Sequence, residues 1–239
     1  MSATDPKVSP EQLVLDLPHR PALALEDFLV SASNEAAVAL VDGWPQWTAR
    51  AAIVAGPSGS GKSHLTNVWR LKSGAESLQA TQLSEEAVAS LEQHKALAIE
   101  DLDRGIGNER VLFHLLNLVR EKGYALLATS AIPPGEMAID LPDLRSRLRA
   151  LPLVHIETPD DAILKAVLVK LFSDRQLTVE PHVVNHLALH MERSFEAAQR
   201  LVKECDQLAL SRQRRVTRGL AAEALAALAD ESATEIGKE

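Results

Sequence analysis

Residues 56–63 read Gly-Pro-Ser-Gly-Ser-Gly-Lys-Ser, entered directly from the apolar run Ala51-Ala52-Ile53-Val54-Ala55. No other stretch restricts the fold so tightly. The G-x-x-x-x-G-K-[ST] spacing belongs to a loop that leaves a buried strand and opens a helix, as the flanking residues here allow. Gly56, Gly59 and Gly61 let successive N–H groups turn inward around phosphate oxygens, while Pro57, Ser58 and Ser60 complete the loop. Lys62 is placed to reach the β- and γ-phosphates, Ser63 to ligate Mg²⁺, and His64 to flank the site. The helix that starts there points its positive end at the anion. A plain Gly/Ser turn is the alternative, but spacing, Lys-Ser pair and flanks together favour a site for ADP or ATP with Mg²⁺.

The remaining pattern predicts an α/β fold with a parallel sheet followed by helices. Leu97-Ala98-Ile99, Tyr124 to Thr129 and Leu153 to Ile156 are short continuous apolar runs, the mark of strands buried on both faces. Helices are predicted from the cap Ser33-Asn34-Glu35 to about Val41, over 61–72, and over 109–122 with Val111, Leu112, Leu115, Leu116 and Val119 on one face. After Thr158-Pro159-Asp160-Asp161, a helix start with cap, Pro and acids, the pattern is helical throughout: about 159–173, 180–192, 194–211 and 218–229. The expected organisation is an N-terminal arm at 1–22, an α/β base at 23–157, a helical lid at 158–230 and a frayed tail at 231–239.

Composition limits the function classes. A net charge of −8 argues against a general polyanion binder, so DNA is expected as an indirect partner only. The single cysteine, Cys205, excludes an internal disulfide framework and fits a reducing cytoplasm, where it is expected to be buried and inert. No apolar run is long enough for a membrane span, and no signal-peptide layout opens the chain.

A phosphate loop needs acids on a neighbouring strand, and Ala98-Ile99-Glu100-Asp101 ends an apolar run with two. Glu100 is expected to hold Mg²⁺ through water and Asp101 to position a water. A surface acidic turn is the alternative. With these residues in view, the chain resembles the AAA+ ATPases, and within them the group of the replication initiator DnaA and its shorter relative Hda. Four stretches carry the likeness: Phe28-Leu29-Val30 with Ser33-Asn34-Glu35-Ala36, the phosphate loop, Ile99-Glu100-Asp101, and Leu141-Pro142-Asp143-Leu144-Arg145-Ser146-Arg147-Leu148. It spans about residues 23–230. The resemblance implies a three-layer αβα base with a helical lid. It also makes Arg147 an arginine finger delivered to a neighbouring ATPase, with Arg145 as a substitute. A local salt bridge is the alternative for Arg147. The likeness ends at the lid, without the helix-turn-helix domain of the initiator, as in the Hda arrangement.

The resemblance also gives meaning to Gln12-Leu13-Val14-Leu15-Asp16-Leu17, isolated between Pro10 and Pro18. It fits the Q-L-x-L-x-L pattern by which such proteins hold the β sliding clamp of DNA polymerase III. Gln12, Leu13, Leu15 and Leu17 would be the contacts, with Leu15 and Leu17 in an apolar pocket. A core strand is the other reading of these six residues. The implied function is a cytoplasmic regulator, nucleoid-associated through the clamp, that makes DnaA hydrolyse ATP, with a homodimer as one oligomeric option. The alternatives are an independent AAA+ ATPase, such as a helicase loader or truncated initiator, and a non-catalytic clamp adaptor.

Three departures from the family point to weak intrinsic hydrolysis. The acids are ordered Glu100-Asp101 rather than Asp-Glu, and a misplacement of about 1 Å can cost on the order of a hundredfold in rate. Ala131 stands where a polar sensor is expected, with Thr129 and Ser130 as substitutes. Phe195 stands at the lid's sensor arginine, with Arg193 on another face. Two further patterns are read as ordinary surface: His182, His186 and His190 at helical spacing, and the cluster Arg212, Arg214, Arg215 and Arg218.

Overall fold

The computed structural model describes residues 30–236, with side chains described for 30–229. The arm residues Gln12, Leu13, Leu15 and Leu17 lie outside the described residues. Contacts divide the described chain into an α/β unit, residues 30–163 with 193–196, and a helical unit, 164–192 with 197–236.

The α/β unit is built around one parallel sheet. Its strands are β1 (Ala51–Ala55), β2 (Glu76–Gln79), β3 (Ala96–Glu100), β4 (Ala125–Ser130) and β5 (Leu153–His155), in the spatial order β2-β3-β4-β1-β5. Val54 lies opposite Thr129 and Ala55 opposite Ser130, while Ala98 lies opposite Leu127. The five residues of β1 and the six of β4 are all buried, which explains their unbroken apolar reading. Alternate side chains go to opposite faces. Ile53, Leu97, Ile99 and Leu126 join a core with α3 (Glu86–His94), α4 (Glu109–Lys122) and α5 (Pro142–Ala150). Ala52, Val54, Ala98 and Leu127 face α1 (Glu35–Asp42) and α2 (Lys62–Ser73), which carry Val38, Leu65, Val68 and Trp69. The result is helix, sheet, helix in three layers. Each fully buried Leu of these cores contributes roughly 1.5–3 kcal/mol relative to exposure.

Local chemistry explains several boundaries. Asn108 caps α4, its Oδ1 accepting from the N–H of Arg110 at 3.1 Å and of Val111 at 3.2 Å. Gly123, at φ +69°, ends the helix in the left-handed region that suits a residue without Cβ. Asn34 precedes α1 as expected, but its Oδ1 accepts from the N–H of Ser31 at 2.9 Å instead of capping the helix. The helix predicted from Thr158-Pro159 starts later. Asp160 Oδ1 accepts from Ile163 N–H at 2.8 Å, so Asp160 is the cap of α6 (Asp161–Asp174). The helical unit continues with α7 (Pro181–His190), α8 (Phe195–Arg212) and α9 (Arg218–Ile236). In it α7 packs on α9, and Leu168, Phe172, Leu187, Val202 and Cys205 are buried. No helix among the described residues is long and apolar enough to cross a membrane.

Candidate functional site

All five strands run parallel, so β1, β3 and β4 end on the same edge of the sheet. That edge is where open α/β sheets bind ligands. Ala55 leads into the 56–63 loop, Glu100 into an acidic turn, and Ser130 into the loop before α5.

The 56–63 loop is held from three sides. Gly56 N–H donates to Ser130 O at 3.1 Å, Ser60 N–H to Pro57 O at 3.3 Å, and Gly59 O accepts from Phe195 N–H at 2.8 Å. A Cβ on Gly56 would lie 2.5 Å from Ile156 O, and Gly59, at φ +67°, has Ser194 directly against it. Gly61, at φ +100°, is the residue before α2 and provides no side-chain cap. The first N–H groups of α2 therefore point outward without acidic competition in the first turn. Ser63 is exposed, and its hydroxyl has no hydrogen-bond partner among the described residues. Lys62 is buried, and its Nζ donates to Gly56 O at 2.7 Å and Pro57 O at 2.8 Å. Two of its three N–H bonds are thus used and one remains for an incoming acceptor. Burial pushes the Lys62 ammonium below its ordinary pKa, and Asp101 and Asp103 pull it back up. The uncapped N–H groups that open α2, a buried cation and glycines that no side chain could replace fit a phosphate chain. Ser63 and the nearby carboxylates supply hard oxygen donors suited to Mg²⁺.

The acids at the end of β3 are held by different partners. Glu100 Oε1 accepts from Ser77 Oγ on β2 at 2.5 Å. Asp101 adopts the left-handed region at φ +59°, its N–H donates to Thr129 Oγ1 at 3.1 Å, and its carboxylate faces Arg104 at 3.5 Å. A non-glycine residue in that conformation costs about 1–2 kcal/mol, a strain of the kind that collects at functional sites. Asp103, which the sequence reading passed over, is the second carboxylate acting on Lys62. Its position two residues beyond Asp101 was the only available signal. The substitutes considered for Ala131 are both engaged: Thr129 by the Asp101 N–H, and Ser130 Oγ by Asp103 Oδ1 and Ile132 O.

On α5 three arginines take different roles. Arg145 donates from Nε to Ile139 O at 3.2 Å and from Nη2 to the same oxygen, which commits it to the preceding loop. Arg149 donates to Gly135 O at 3.1 Å. Arg147 has neither a hydrogen bond nor an ion pair among the described residues, so the salt-bridge alternative has no partner there. Its guanidinium carbon sits 4.5 Å over the ring of Phe113 on α4. Glu109, at the start of α4, accepts from the N–H of Asp140 at 2.9 Å and of Leu141 at 2.6 Å, which fixes the entry to α5.

Ser194, buried, and the Phe195 N–H form the backing of Gly59, while Arg193 pairs with Asp161 at 2.7 Å. In the helical unit the His186 and His190 rings meet at a 50° tilt with centroids 4.4 Å apart, and His182 faces Glu180. No group of three or more metal-ligating residues occurs among the described residues. Arg212 of the basic cluster pairs with Glu223 at 2.5 Å.

No family model and no curated protein matches the chain. Solved structures do. Domain III of the replication initiation protein DnaA from Thermotoga maritima aligns over 87% of this chain and 98% of its own, with a TM-score of 0.73 at 18% identity. AMPPCP-bound DnaA from Aquifex aeolicus aligns over 77% of this chain and 65% of its own, at TM-score 0.64 and 19% identity. The Holliday junction branch migration motor RuvB of Thermotoga maritima aligns over 74% and 61%, at TM-score 0.61 and 18% identity. The chain thus matches nearly all of the isolated DnaA domain but about two thirds or less of these larger chains. Likeness at this identity is a likeness of architecture, and the chain has the DnaA-like AAA+ fold.

Proposed function

We propose that the chain is a nucleotide-binding AAA+ module of the replication machinery. It holds ADP or ATP with Mg²⁺ at the 56–63 loop and presents Arg147 to the nucleotide site of a neighbouring AAA+ protein, DnaA. The arm at Gln12, Leu13, Leu15 and Leu17 holds it to the sliding clamp. Nucleotide binding is supported by the cradle around Lys62, and by the AMPPCP that the DnaA of similar fold carries.

The observation that carries the finger is the state of Arg147. Arg147 is half-buried, with its guanidinium over the ring of Phe113 and without a carboxylate partner among the described residues, between two arginines tied to carbonyls. Cation–π contact at such a site is worth about 0.5–1 kcal/mol. That is enough to orient the group, and small beside the roughly 1.5–3 kcal/mol of a hydrogen bond to a charged phosphate oxygen.

The test is phosphate release from ATP-loaded DnaA in the presence of DNA-loaded clamp, with and without this protein. Stimulation that is lost in Arg147→Ala and in Leu15→Ala/Leu17→Ala, with little turnover by the protein alone, supports the reading. Steady hydrolysis by the protein alone, without stimulation of DnaA, replaces it with the independent ATPase.

A further inference from the structure

The end of β4 meets the phosphate loop directly, because Ser130 lies opposite Ala55 and its carbonyl accepts from Gly56 N–H at 3.1 Å. Two donors leave the strand at this point, the hydroxyl of the fully buried Ser130 and the N–H of Ala131. One carboxylate receives both. Asp103 Oδ1 accepts from Ala131 N–H at 2.6 Å and lies 3.1 Å from Ser130 Oγ, whose single proton it shares with Ile132 O at 2.7 Å. The preceding hydroxyl, Thr129, is turned to the Asp101 N–H. The Asp103 charge also raises the Lys62 pKa against the effect of burial.

This edge of the site therefore offers a carboxylate where a phosphate would need N–H or O–H donors. A nucleoside triphosphate differs from a diphosphate by one more phosphate and its negative charge. Interactions that reward the difference must come from groups at the ends of these strands.

We propose that Asp103 determines nucleotide specificity: by occupying Ser130 Oγ and Ala131 N–H, it removes the advantage of triphosphate over diphosphate. The inference rests on the nucleotide-binding reading and adds the residue that controls its selectivity. Asp103 acts here as a positioning residue that withholds donors.

The experiment is calorimetric titration of the full chain with ADP and with AMPPCP, both with Mg²⁺, for the native protein, Asp103→Ala, Asp103→Asn and Lys62→Ala. The native protein is expected to bind ADP at least as tightly as AMPPCP. Asp103→Ala frees the Ala131 N–H and leaves Ser130 Oγ with Ile132 O as its one acceptor, and is expected to shift the affinity ratio toward AMPPCP by about tenfold or more. Asp103→Asn removes the charge but keeps an acceptor for Ala131 N–H, so its shift is smaller and in the same direction. A purely structural role would weaken both ligands equally, and an unchanged ratio in both variants overturns the proposal. So does a native preference for AMPPCP beyond about tenfold. Should Asp103→Ala fail to fold, by circular dichroism, the ratio in Asp103→Asn decides. Failure of the underlying reading has a different signature: the native protein binds neither nucleotide, or Lys62→Ala binds both as tightly as the native protein.

Discussion

Replacing Gly59 by Ala should strain the loop in two separable ways. The residue sits at φ +67°, where a side chain costs about 1–2 kcal/mol. Its new Cβ would lie 2.7 Å from Ser194 Cβ, 2.9 Å from Ser194 Oγ and 3.2 Å from Glu196 Cβ. Forcing a methyl into such a space costs a further 1–3 kcal/mol or so, for a total of roughly 2–5 kcal/mol. All three tryptophans belong to the α/β unit, with Trp47 and Trp69 stacked at 5.4 Å, so indole fluorescence in urea follows that unit alone. In thermal unfolding followed the same way, the Gly59→Ala loss should lower Tm by roughly 4–20 °C. Ser194→Gly removes the two nearest atoms in the way but leaves Glu196 Cβ and the backbone strain. The double variant should therefore recover about 1 kcal/mol or more relative to additivity. A Gly59→Ala loss below about 1 kcal/mol would contradict both terms, since the backbone term alone predicts that much. Strict additivity in the cycle would show that Ser194 does not back the loop.

Two further expectations concern titration. Burial holds the Lys62 pKa below its ordinary 10.5, so between the folded and unfolded values the unfolded chain binds more protons and stability rises with pH. Lys62→Met abolishes this, and the native-minus-variant stability from urea midpoints should increase as pH approaches 10.5 from below; a flat or falling difference would refute it. Cys205, fully buried, has its thiol pushed up to about 12 from 9.0, chiefly by burial. Below pH 9 that leaves roughly a thousandfold less thiolate than in the unfolded chain, so a disulfide reagent should label Cys205 only in denaturant. Prompt labelling of the folded protein would contradict its burial.

The legible parts of this fold are those where burial leaves a one-dimensional pattern in the chain. β1, β3 and β4 read as continuous apolar runs because both faces of the sheet are covered, and α4 shows its buried stripe because one face meets the core. The phosphate loop was legible for a related reason: the backbone it needs admits only certain residues at certain spacings. Where burial is partial the pattern disappears. β2, Glu-Ser-Leu-Gln, is an edge strand with two exposed and two half-exposed positions, and nothing in its composition announces a strand. The helix α5 carries four charged residues among nine and buries only Leu144 and Leu148.

Tertiary structure alone decided how the polar groups are paired, because those pairs join residues far apart in the chain. Asp103 meets Ser130 and Ala131 only because β3 and β4 end side by side; Arg147 finds Phe113 only because α5 packs on α4. Gly59 is backed by Ser194, with 134 residues of chain between them (194 − 59 − 1). A sequence names donors, acceptors and charges. Which of them remain free to meet a ligand depends on which others the fold brings within about 3 Å.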